Sequence, residues 1–161
     1  MNMDMMRAAV AAAVIFVAAS APAADLPPSP LVGTWHLDRQ EINGVDSNSE
    51  PLTLKISRES GDRLGFAFSM PVNKIHFVGM SYAVRLDGSD ADIKDSTGKA
   101  IGTVQMTQAG ASQFKLVVKG PNRPDSAGRL TISPDGKSLI SESDAMQGGR
   151  AIHSKQTFSR F

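Results

Sequence analysis

The chain has 161 residues, 17 of them Lys or Arg and 16 Asp or Glu, giving a net charge of +1, and it has no Cys. That balance provides no electrostatic footprint for nucleic acid. The missing Cys excludes disulfides, thiolate metal sites, a Cys nucleophile and a lipid-modified Cys.

The first element reads as a leader. Met1–Arg7 ends in a cation, Ala8–Ala18 is an uncharged apolar run of 11 residues, and small residues follow before Asp25. Charge, apolar core and an A-x-A-like site are the order of a secretory signal. The run is shorter than the roughly 20 apolar residues that cross a bilayer. The expectation is a signal peptide over residues 1–24, no membrane span in the mature protein, and a periplasmic or secreted location. Residues 25–30 form a Pro-rich lead-in, stiff because each Pro fixes φ. Residues 31–161 then form one domain.

From Gly33 onward the dominant period is two. Leu52, Leu54 and Ile56 alternate with polar residues, as do Leu64, Phe66, Phe68 and Met70. Tyr82, Val84 and Leu86 follow, then Val104 and Met106, then Phe114, Leu116 and Val118, then Leu130 and Ile132, then Ile152 and Phe158. Alternation of this kind predicts half-buried strands. Between the runs lie Ser60-Gly61-Asp62, Asp87-Gly88-Ser89-Asp90, Thr97-Gly98-Lys99, Ala109-Gly110 and Pro134-Asp135-Gly136-Lys137. These are reversal residues. Arg39–Ser49 reads as a loop with at most one helical turn, and Pro121–Asp125 as a longer loop. About ten short strands at even spacing predict an all-β barrel or sandwich.

Candidate chemistry is sparse. His36, His76 and His153 are the only imidazoles and show no H-x-H or H-E-x-x-H spacing. His36 and His153 fall on outward parities. Asp87, Asp90, Asp92 and Asp95 cluster but lack the order of a calcium loop and read as a solvated hairpin. No G-x-S-x-G elbow and no phosphate loop is present. The expectation is therefore no metal, no cofactor and no catalytic residue. On the last strand, Ser154 and Gln156 share the inward parity of Ile152 and Phe158, and Ser141 shares that of Leu139. Buried polar groups cost about 1–3 kcal/mol each when unbonded. A packed core would avoid them, and a cavity would tolerate them.

One motif set is more specific. Gly33-Thr34-Trp35-His36-Leu37 opens the first strand, Tyr82 to Gly88 carries Y-x-x-x-x-D-G, and Leu130 to Leu139 reads L-T-x-S-x-D-G-K-x-L. In this order the set resembles small exported bacterial lipocalin-like (calycin-type) proteins of uncharacterised function. The similarity spans about Leu31 to Phe161. It implies an antiparallel up-and-down barrel of about eight to ten strands. It also implies a structural end-plug in which Gly33 permits a sharp strand start, Trp35 closes one end and Arg160 lies over its indole. The family offers no catalytic residues. G-T-W-x-L also opens fatty-acid-binding barrels, but the 14 positions between Leu37 and Leu52 leave no room for their two-helix lid, and the C-terminus lacks their R-x-Y.

The combined expectation is a non-catalytic binder of a small hydrophobic or amphipathic molecule inside the barrel. Its interior candidates are Phe66, Phe68, Tyr82, Val84, Met106, Phe114, Leu116 and Gln156. The rival expectation is an envelope interaction or inhibitor protein with a packed barrel, displaying the segments Arg39–Ser49 and Pro121–Asp125.

Overall fold

The computed structural model describes residues 29–47, 50–72, 75–121 and 123–161. The expected signal peptide, and the lead-in up to Pro28, lie outside the described residues.

Eleven strands follow one another: β1 (Gly33–Ile42), β2 (Val45–Ser47), β3 (Thr53–Arg58), β4 (Arg63–Val72), β5 (Ile75–Arg85), β6 (Asp87–Asp95), β7 (Ala100–Gln108), β8 (Gln113–Gly120), β9 (Arg123–Ile132), β10 (Ser138–Gln147) and β11 (Arg150–Arg160). Neighbours in sequence pair antiparallel from β3 to β11, and β1 pairs with both β3 and β11. That last pairing closes ten strands into a barrel, with β2 as an extra strand on β1. Closure removes the free edges that an open sheet would expose. The choice between barrel and sandwich, which alternation leaves open, is settled by the pairing Trp35↔Arg160 through Ile42↔Ser154. Among the described residues no helix is long and apolar enough to cross a membrane.

Three sequence expectations are corrected. Arg39–Ser49 is not a loop: Arg39–Ile42 completes β1, and Val45–Ser47 returns beside it. Asn43 and Gly44 make the reversal, with φ of 51° and 78°. Both central residues of a type I′ turn need positive φ, which Asn and Gly accept most readily. Pro121–Asp125 is not a long loop either, because Gly120 pairs with Arg123 and β9 runs on through Pro124 and Asp125. Finally, Asp87–Asp95 is a strand. Its chain reversal falls at Leu86, and Ala91 and Ile93 pack toward the interior while Asp90 and Asp92 stay exposed.

The core occupies the half of the barrel near the β1 start. Trp35, Leu54, Ile56, Leu64, Phe66, Val84, Met106, Phe114, Leu130, Ile132, Leu139 and Phe158 form one buried cluster with Leu31. No polar or charged residue is fully buried among the described residues.

Candidate functional site

The closed end is built around Trp35. Its indole is fully buried and donates from Nε1 to the Leu31 carbonyl at 2.9 Å. Arg160 lies over the ring, with Cζ 4.3 Å from the centroid. The guanidinium also donates to the carbonyls of Val32 (2.9 Å), Pro30 (2.7 Å) and Gly136 (2.9 Å). One side chain thus ties the lead-in, the first strand and the β9–β10 turn together. Gly33 has φ of +154°, and a Cβ there would stand 2.8 Å from Arg160 Nη1. The glycine is required twice, by backbone conformation and by the guanidinium that fills its side-chain space.

The other end is open. A pocket of about 390 Å³ enters the barrel there, lined by Leu52, Phe68, Met70, Gly79, Met80 and Gln156. Its rim on the β4–β5 hairpin is apolar and exposed at Met70, Val72, Ile75 and Val78. Two irregularities shape the lining. Phe68 pairs with Met80 but Ser69 pairs with Val78, so Gly79 is an extra residue on β5. Leu37 pairs with Phe158 but Arg39 pairs with Thr157, so Asp38 bulges from β1. A bulge exchanges faces beyond it. This one puts Gln40 and Ile42 on the same side as Gln156 and Ser154. The β10–β11 ladder has no irregularity over Ser138–Gln147, so Ser141 faces Gln156 and Ser143 faces Ser154.

The interior therefore has two walls. Gln40, Gln156 and Ser141 sit in one row across β1, β11 and β10, with Ile42, Ser154 and Ser143 in the next. All six are half-buried. Among the described residues, no protein group hydrogen-bonds the side chains of Gln40, Gln156, Ser141, Ser143 or Ser154. Facing them are Leu52, Phe68, Met70 and Met80. Tyr82 stacks on Phe66, with centroids 4.8 Å apart, and tilts against Phe68 at 6.0 Å. Burial pushes the Tyr82 phenol well above its usual pKa, so it stays neutral.

The eight interior candidates thus separate along the barrel axis. Phe66, Val84, Met106 and Phe114 are buried in the packed half. Tyr82 and Leu116 are partly buried at its upper boundary, and Phe68 and Gln156 line the pocket. Leu52, Met80, Gln40 and Ser143 are pocket or wall residues that the interior set omits. Leu52 shares the parity of Leu54 and Ile56, and Met80 that of Tyr82, so both were visible in the alternation. Gln40 was hidden by the bulge at Asp38.

The described histidines and the aspartates with shifted pKa values stand at the surface, at turns or at the mouth. His36 meets Thr53 Oγ1 at 3.2 Å and Phe161 edge-on at 4.9 Å. His153 meets Asp144 at 2.8 Å. The side chain of His76 lies outside the described part. Asp87, Asp95 and Asp135 have lowered pKa values because the side-chain hydroxyls of Ser89, Thr97 and Ser133 and nearby backbone N–H groups donate to them. Each is a local turn device. Asp87 and Asp95 stand at opposite ends of β6, a spacing of roughly 26 Å for an extended strand. Among the described residues, no three His, Asp or Glu side chains converge.

No family model matches this sequence, and no curated protein matches it. Among solved structures, the chain is similar to zebrafish ileal bile acid-binding protein, solved with cholic acid. The TM-score is 0.58 at 18% identity, over 83% of this chain and 100% of that one. A siderocalin, Ex-FABP, described as working through dual ligand specificities, aligns at a TM-score of 0.44 and 12% identity, over 83% of this chain and 71% of its own. The first likeness, with the closed antiparallel strands and the Trp35–Arg160 plug, defines the fold: an all-β, lipocalin-like barrel of the calycin type.

Proposed function

We propose that this protein is an exported, non-catalytic carrier or sensor that holds a small, partly apolar molecule in the open half of its barrel. The observation that carries this reading is the two-walled pocket. Apolar Leu52, Phe68, Met70 and Met80 face Gln156, whose amide has no protein partner among the described residues. Small-molecule pockets of about 300–1,000 Å³ commonly combine apolar walls with a few polar groups that set orientation. Similarity to a barrel solved with cholic acid agrees with this use of the fold. Export rests on the leader order alone, and the non-catalytic reading on Asp87, Asp95 and Asp135 being bound within their own turns. The rival reading, loops displayed on a filled barrel, loses its two loops to short hairpins.

The test is titration with N-phenyl-1-naphthylamine, a neutral apolar fluorophore. Saturable 1:1 binding is expected, weakened at least tenfold in Phe68→Asp with unchanged circular dichroism. Absence of saturable binding by the wild-type protein would refute the reading.

A further inference from the structure

The chemistry of the two walls says more than that the ligand is partly apolar. Between the Trp35 plug and the last strand residues at the mouth, the inward positions whose side chains are described carry no Lys, Arg or Glu; Arg150, opposite Gln147, and Arg123, opposite Gly120, hold inward register only at the rim beside their turns. On β11 they are Phe158, Gln156, Ser154 and Ile152, and on β10 Leu139, Ser141, Ser143 and Ala145. Lys155, Glu142 and Asp144 occupy the alternate, outward positions, where Glu142 pairs with Arg129 at 2.9 Å, and Arg150 and Arg160 hold the inward parity of β11 only at its two ends, the mouth and the plug. Among the described residues the one inward carboxylate, Asp95, ends β6 at the mouth opposite Met80, and its oxygen already accepts from Thr97 N, Thr97 Oγ1 and Lys99 N.

An ionised head group brought against this lining loses water and gains no counter-charge. A neutral hydroxyl, amide or ester keeps its hydrogen bonds, because Gln amides and Ser hydroxyls offer both donors and acceptors. We infer that the pocket takes an uncharged amphiphile, with its apolar body against Phe68, Met70 and Met80 and its hydrogen-bonding head on the Gln40–Gln156–Ser141 row and the serines beside it. This rests on the carrier reading above and narrows it. It also separates this barrel from one that holds an organic acid through a cation.

The test compares three ten-carbon probes as competitors of bound N-phenyl-1-naphthylamine at pH 7.5: 1-decanol, decanoate and decylammonium. Decanol is expected to bind at least about tenfold tighter than either ion. The gap to decanoate should close as the pH falls below the acid's pKa, about 4–5 for a carboxylic acid. Gln156→Lys, checked for unchanged thermal unfolding, should bring decanoate to or above the affinity of decanol. Equal binding of decanoate and decanol by the wild-type protein would overturn the uncharged class and leave the carrier reading standing. Binding of the fluorophore with no competition by decanol would also overturn it. Failure of the fluorophore and all three probes to bind would remove the carrier reading itself. An unchanged probe preference in Gln156→Lys would overturn the placement of the head group.

Discussion

Gly33→Ala isolates the architecture of the closed end. Two costs are expected. The backbone at φ of +154° is one that L residues rarely adopt, worth about 1–3 kcal/mol. The new methyl also meets Arg160 Nη1 at 2.8 Å and Cζ at 3.4 Å. To make room, the guanidinium must leave the indole face and loosen its bonds to Val32, Pro30 and Gly136. The cation–π contact is worth about 0.5–2 kcal/mol. With the partly exposed hydrogen bonds discounted, the displacement costs about 1–2 kcal/mol. The single variant should lose about 2–5 kcal/mol. In an Arg160→Ala background only the backbone cost remains, so the two substitutions should be less than additive by about 1–2 kcal/mol. Urea unfolding suits the measurement, with Trp35, the sole Trp, as the fluorescence reporter. Additivity within about 0.5 kcal/mol would refute the claim that Gly33 makes room for Arg160.

The remaining predictions follow from neighbouring features. Trp35→Ala should destabilise by about 3–5 kcal/mol, the range for a large buried aromatic, read by circular dichroism melting; an unchanged melt would remove its role as a plug. Gly44→Ala should cost only about 1 kcal/mol, because φ is +78° but nothing lies within 4 Å of a Cβ there; a loss as large as that at Gly33 would contradict this. The folded pKa of Asp95 is lowered, so its contribution is present above the unfolded value near 3.8 and disappears as pH falls through the lower folded value. Asp95→Ala should therefore lower stability at pH 6 and flatten its decline between about pH 4 and 2, followed by urea midpoints across that range. Parallel pH profiles would show that the turn carboxylate does not contribute in this way.

Much of the fold was legible because the barrel reads as alternation. The inward faces of β4, β8, β10 and β11 follow uninterrupted parity, which is why Phe66, Phe68, Phe114, Leu116 and Gln156 were assigned the correct side. The plug was legible because strand-terminal Gly33, Trp35 and Arg160 carry a recognisable chemistry. Strand β2 was missed although Asn43-Gly44 is a strong hairpin signal, because the surrounding Asx and Ser residues suggested a loop. The acidic run from Asp87 to Asp95 masked a strand whose only inward side chain of bulk is Ile93, with Leu86 packing from the turn before it. Depth along the barrel axis was not legible at all. Phe66 and Phe68 are identical in type and parity, yet one is packed at 2% exposure and the other lines the pocket. That difference depends on strand tilt and on the bulges at Asp38 and Gly79, which arise from pairing between strands and leave no mark in local periodicity.

The most direct measurement is native mass spectrometry of the protein purified from its own host, followed by denaturing extraction. One small molecule per chain is expected, released on unfolding, uncharged at neutral pH and largely apolar. A bare mass, together with no thermal shift across a panel of neutral and charged amphiphiles, would contradict it.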